Sequence, residues 1–125
     1  MARLLIFEDE ADIAELYRLE LEDRGHEVLG IHTDPLDLLE PKEGLSLVLS
    51  PDLILLDERL GSVSGVKYLG KLRRAFPGAR ILVVSADPDA LERGLAGGAD
   101  GVARKPLLLK RLVQDIERVL ARPTA

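Results

Sequence analysis

Short, wholly apolar runs alternate along this chain with longer stretches that carry helical spacing. Leu4 to Phe7 is continuously apolar and runs straight into Glu8, Asp9 and Glu10. A run of that length, bounded at once by acids, predicts a strand buried on both faces. From Asp12 to Arg24, the residues Ile13, Leu16, Tyr17 and Leu21 recur on one helical face. Glu20 precedes Arg24 by one turn, the favourable order for an ion pair, and Gly25 supplies the stop. Glu27 to Ile31 reads as a second strand. Asp34 and Pro35 open a second helix as N-cap and first-turn proline. Pro41 and Gly44 interrupt it, with a further turn or two over Leu45 to Leu49.

Leu53 to Leu56 is the most apolar short run and ends at Asp57, as a central strand would. Ser64 is placed to cap a helix that reaches about Phe76 and closes at Pro77 and Gly78. Arg80 to Val84 predicts a fourth strand ending at Ser85, and Asp89 to Ala96 a short helix stopped by Gly97 and Gly98. Val102 and Ala103 form a weak fifth strand before Lys105 and Pro106. Leu108 to Ala121 is a last amphipathic helix, with Leu112, Val113, Ile116, Val119 and Leu120 on its buried side.

Strand and helix thus alternate, which implies an α/β fold with a parallel sheet covered on both faces. The 125 residues suit one domain, taken as residues 1–122 with a frayed tail over 123–125. Aromatics are 3% of the chain, so aliphatic side chains must fill the interior. Cysteine is absent, which removes disulfides, thiolate metal sites and thiol nucleophiles together. His26 and His32 read as turn and strand-end residues, and Tyr17 as core packing. A net charge of −5 argues against a nucleic-acid surface, so no direct DNA binding is expected. Arg73 and Arg74 read as an exposed helix edge. No apolar run reaches membrane-spanning length, and the first residues are too short for a signal peptide, so a cytoplasmic protein is expected.

The polar residues fall where the strands end. Glu8 and Asp9 follow the first strand, Asp57 the third, Ser85 the fourth and Lys105 the fifth. In an open parallel sheet the carboxyl ends of the strands share one edge, and ligands bind where the strand order reverses. Three carboxylates and one amine would then meet with an excess of negative charge. Crowded carboxylates raise one another's pKa unless a cation joins them. Oxygen-only ligation suits a hard ion such as Mg²⁺, with Mn²⁺ as the alternative. The chemistry that fits is phosphoryl transfer to a carboxylate, with Asp57 as nucleophile and Lys105 and Ser85 stabilising charge on the phosphoryl oxygens.

The stretches LLIFEDE, PDLILLDERLGSVSG, ILVVSA and GADGVARKP, in this order and spacing, resemble the receiver domains of two-component response regulators. The resemblance covers nearly the whole chain. It implies a flavodoxin-like (βα)5 fold with a five-stranded parallel sheet of order 2-1-3-4-5. It makes Asp57 the phosphoacceptor and Glu8 and Asp9 the acidic metal-binding pair, joined by Asp57 itself and the backbone carbonyl of Arg59. It puts Ser85 at the hydroxyl switch position, Lys105 against the phosphoryl group, and a cis peptide at Lys105–Pro106. The implied donor is a sensor histidine kinase or phosphotransfer protein. The effector is an unidentified protein target, and the exposed remainder of the last helix could serve a homodimer. Such a module catalyses its own phosphorylation and slow dephosphorylation and is not a turnover enzyme.

The chain departs from that pattern in three places. Val102 stands where the family often has an aromatic residue, Gly61 stands where it usually has proline, and the stretch from Ser85 to Gly98 is about two residues short. Gly61 is expected to loosen its loop. Arg59 and Asp87 would flank the site entrance, either as a pair or with Arg59 covering the phosphoryl group against water. Two other functions compete. A receiver-like scaffold would bind partners without phosphorylation, and a haloacid-dehalogenase-like hydrolase would need a second aspartate where this chain has Arg59. Singly, each site residue has an ordinary explanation as a cap, turn or surface group. All of them at matching strand ends favour the receiver.

Overall fold

The computed structural model describes residues 1–39 and 50–122. Five strands form one sheet: β1 (Arg3–Phe7), β2 (Glu27–His32), β3 (Leu53–Asp57), β4 (Arg80–Ser85) and β5 (Gly101–Arg104). The helices are α1 (Ala11–Asp23), α2 (Leu36–Leu39), α3 (Leu69–Ala75), α4 (Pro88–Ala96) and α5 (Leu109–Ala121). All four neighbouring strand pairs are parallel, and the spatial order is β2-β1-β3-β4-β5, as the sequence predicts. The order reverses between β1 and β3, which opens a crevice at their carboxyl ends.

The period-two alternation of the strands divides their side chains between two cores. Leu4, Ile6, Leu53, Leu55, Leu82 and Val84 pack with Tyr17, Leu21 and the apolar face of α5. Leu5, Phe7, Ile54, Leu56, Ile81 and Val83 pack on the other side with Leu38, Leu69 and Leu72. The residues of β3 are all buried, which is why that strand reads as an unbroken apolar run. Each fully buried aliphatic side chain contributes about 1.5–3 kcal/mol relative to exposure.

Several local expectations hold. The Asp34 carboxylate accepts from the Leu36 N–H at 2.9 Å, and Arg24 lies 3.5 Å from Glu20. The interruption at Pro41 and Gly44 and the turns over Leu45 to Leu49 lie outside the described residues. Others are corrected. Leu16 points away from the core and is half exposed; Ala14 takes its place beside Tyr17 and Leu21. Ser64 does not cap a helix. Its hydroxyl turns to Glu58, and the segment begins as a 3-10 turn, Gly65–Tyr68, before α3. Arg73 is less a solvated edge than a tie, since its guanidinium reaches the Ala79 carbonyl at 3.1 Å and Asp100 at 3.0 Å. His26 sits at its turn with Nδ1 accepting from the Ala2 N–H at 3.0 Å. No helix among the described residues is long and apolar enough to cross a membrane.

Candidate functional site at the carboxyl edge of the sheet

The ladders that hold the strands continue one residue past their ends. The Glu8 N–H donates to the His32 carbonyl at 3.1 Å, Glu58 N–H to Val84 at 3.0 Å, and Lys105 N–H to Ser85 at 2.9 Å. Each candidate residue is therefore fixed through its own or its neighbour's backbone before any side chain is considered. The sheet brings Glu8, Asp9, Asp57, Ser85 and Lys105 to one edge, as expected. A cleft of about 500 Å³ opens there, lined by Glu10, Asp57, Arg59, Ser85, Asp87 and Lys105 among others.

Lys105 is the electrostatic centre. Its Nζ lies 2.6 Å from Asp57 Oδ2 and 3.5 Å from Glu8 Oε2. Burial pulls the Lys105 pKa down, but the hydrogen bond and charge of Asp57, with the charge of Glu8, outweigh that and leave it raised. The second Asp57 oxygen, Oδ1, accepts from the Arg59 N–H at 3.1 Å. Asp57 and Glu8 are buried, and one amine serves both. Glu8 accepts from the Glu10 N–H at 3.2 Å. Burial, then the hydrogen bond and charge of Asp57, push the Glu8 carboxyl up to about 8, against the opposing pull of Lys105. Near neutral pH this carboxyl therefore carries a proton in the metal-free protein.

That shift fixes the sign of a pH effect. A carboxyl whose folded pKa lies above its unfolded value stabilises the fold fully below the unfolded pKa. The contribution is lost as pH rises toward about 8. Metal-free protein is thus expected to melt at lower temperature at about pH 9 than at about pH 6, and Glu8→Gln to flatten that difference. Thermal denaturation of both proteins across this range measures it. An equal slope in the variant would place the pH dependence elsewhere.

Glu8, Asp9 and Asp57 each offer a carboxylate oxygen, all within 4.8 Å of one another. Asp9 is exposed, and its Oδ2 accepts from the Gly61 N–H at 2.8 Å. Gly61 closes a defined turn there. It takes φ +63 in a two-residue turn between Arg59–Leu60 and Val63–Ser64, which pair as a small antiparallel hairpin. Ser85 is buried, with Oγ accepting from the Asp87 N–H at 3.0 Å. The Lys105–Pro106 peptide is cis, as the resemblance implies.

Arg59 and Asp87 both line the cleft, but they do not pair. The Asp87 carboxylate instead caps α4 by accepting from the Asp89 N–H at 3.0 Å. A short helix needs its orphan amides satisfied, and its own N-cap is the nearer partner. Sequence reasoning missed Glu58. Its side chain is largely buried and accepts from Ser64 Oγ at 2.6 Å, the Val66 N–H at 3.0 Å and Arg93 at 2.9 Å. The only signal was an acid directly after the central strand, and Asp57 absorbed it.

A family model described as the response regulator receiver domain matches residues 4–117. The chain belongs to the response regulator receiver domain family. The Staphylococcus aureus response regulator ArlR is 32% identical over 98% of this chain. The receiver described here spans 54% of that relative's length. Among solved structures, a LuxR-family two-component response regulator from Aurantimonas sp. SI85-9A1 superposes with a TM-score of 0.83 at 27% identity, covering 97% of this chain and 86% of the other. A CheY-like receiver domain protein from Methanospirillum hungatei JF-1 shares the fold, with a TM-score of 0.78 at 24% identity over 96% of this chain and 94% of that one.

Proposed function

We propose that Asp57 takes a phosphoryl group from the phosphohistidine of a sensor kinase or phosphotransfer protein, in a Mg²⁺-dependent reaction that changes which protein the domain binds. The observation that carries this reading is the Lys105–Asp57 pair, 2.6 Å apart, set beside the three-carboxylate cluster. An Asp57 oxygen attacks phosphorus as the bond from phosphorus to the histidine nitrogen breaks, and that nitrogen keeps the electron pair. Lys105 balances charge on the phosphoryl oxygens. The Ser85 hydroxyl accepts from Asp87 N–H, which leaves its own proton free to donate to them.

Glu8, Asp9, Asp57 and the Arg59 carbonyl are the groups that would hold Mg²⁺, or Mn²⁺ in its place. An all-oxygen donor set with excess negative charge fits such an ion. Its contribution is charge neutralisation of the carboxylates and the phosphoryl group. Glu8 must release its proton to take part, so the affinity for the ion falls as pH drops below about 8. Arg59 at the cleft supplies no acid–base group, which argues for slow self-dephosphorylation over turnover. A scaffold without phosphorylation would leave the buried acids and their shared amine without a purpose.

Incubation with acetyl phosphate and Mg²⁺, with mass spectrometry as the readout, tests this. One phosphoryl group per chain is expected, lost in Asp57→Ala and in EDTA. Continuous phosphate release would favour a hydrolase, and an unlabelled wild type would favour the scaffold.

A further inference from the structure

Glu58 joins parts of the molecule that the sheet does not. Its backbone N–H donates to Val84, and its carbonyl accepts from the Gly65 N–H at 2.7 Å. Its carboxylate is 13% exposed, and a buried carboxylate must find partners. Oε1 takes the Ser64 hydroxyl and the Val66 N–H, which lie on the far side of the small hairpin and in the 3-10 turn. Oε2 takes Arg93 of α4 at 2.9 Å. The residue next to Asp57 is thus tied to a helix that also begins at the site, through Ser85 Oγ and the Asp87 N–H.

The two ends of this tie are unequal. The Glu58 end is fixed by two further hydrogen bonds, whereas the Arg93 side chain is 56% exposed. Half-exposed ion pairs stabilise little, so the Arg93 end opens at small cost. A contact of that strength is suited to be made or broken by a change at its neighbour.

We propose that Glu58 is a positioning residue, and that its bond to Arg93 is the strut by which the state of Asp57 sets the position of α4. This rests on reading Asp57 as the phosphoacceptor. A modified Asp57 draws Lys105 and the Ser85 hydroxyl toward its new oxygens. The first contact of α4 then changes while the second, at Arg93, decides how far the helix follows.

Hydrogen exchange over Pro88–Ala96, with and without beryllofluoride and Mg²⁺, tests the strut in wild type, Glu58→Gln, Arg93→Ala and Arg93→Lys. Glutamine retains an acceptor for Ser64 and Val66 but loses the charge that holds Arg93. Without ligand, Glu58→Gln and Arg93→Ala are expected to exchange at least about threefold faster in α4. Their response to beryllofluoride should fall to less than about half that of wild type, with Arg93→Lys restoring part of it. Beryllofluoride uptake itself, read by fluorine NMR, should persist in all four proteins. Unaltered α4 exchange and a full response in both breaking variants would overturn the proposal. If wild type takes up no beryllofluoride, the phosphoacceptor reading fails, and the ligand-free comparison still decides whether the strut holds α4.

Discussion

Lys105→Met is expected to slow labelling by acetyl phosphate roughly a hundredfold or more, the usual loss when a preorganised charge is removed from a developing anion. Methionine keeps much of the stem, so packing around Pro106 is little disturbed. The same substitution should lower stability in a pH-dependent way. With the amine gone, Glu8 and Asp57 face each other with no cation between them. Breaking a buried ion pair at one partner costs about 3–5 kcal/mol when the other charge cannot adapt. Glu8 can adapt, because burial and the neighbouring Asp57 already push its carboxyl up to about 8. The loss should therefore be largest at about pH 9 and shrink toward about pH 6, where the proton replaces the amine's role. Urea denaturation at the two pH values measures this. A loss that is equal at both would mean that Lys105 acts through packing alone.

Gly65→Ala is expected to be the most disruptive glycine-to-alanine change among the described residues. A Cβ at that position would lie 2.1 Å from the Asp57 carbonyl oxygen and 3.1 Å from its carbonyl carbon. Neither is the free end of a side chain, so the clash resolves only if the backbone of β3 moves. The Gly65 N–H is also held by Glu58 at 2.7 Å, which blocks retreat of the other partner. A cost of about 3 kcal/mol or more is expected, with loss of labelling, since Asp57 itself is displaced. Gly70→Ala is the internal control. It lies in α3 with nothing within 4 Å of an added Cβ, and should stabilise by up to about 1 kcal/mol through helix propensity. Denaturation midpoints of the two variants give the comparison. A Gly65→Ala protein as stable as wild type would show that β3 can shift freely beneath its carboxylate.

The architecture was legible because its signals are local and redundant. Each buried strand announces itself as an apolar run, and each run ends on a residue with chemistry, so the edge could be read before the sheet was seen. Lys105 and Asp57 lie 48 residues apart, yet topology alone brings their charged atoms together. What stayed hidden depends on choices between equally good local partners. Ser64 has the chemistry of a cap, but a buried Glu58 carboxylate is the stronger acceptor and claims its hydroxyl. Asp87 has the charge to pair with Arg59, but the amides of α4 are nearer. Gly61 is permissive in isolation, and only the Asp9 carboxylate above its N–H shows that the permissiveness serves a tight turn. Leu16 fits the helical stripe as well as its neighbours do, yet it stands half exposed while Ala14, Tyr17 and Leu21 form the buried face of α1.

Adjacent residues of β3 answer to different helices: Leu55 to α1 and α5, Leu56 to α2 and α3. The sheet acts as a partition wall between two separately fitted rooms. One side of the domain can acquire new side chains, and with them a new outer surface, while the packing beneath the opposite helices stays as it was. The acids and the amine stand on the rim of that wall and belong to neither room. A single reactive edge can therefore be kept while each flank drifts toward its own recognition task.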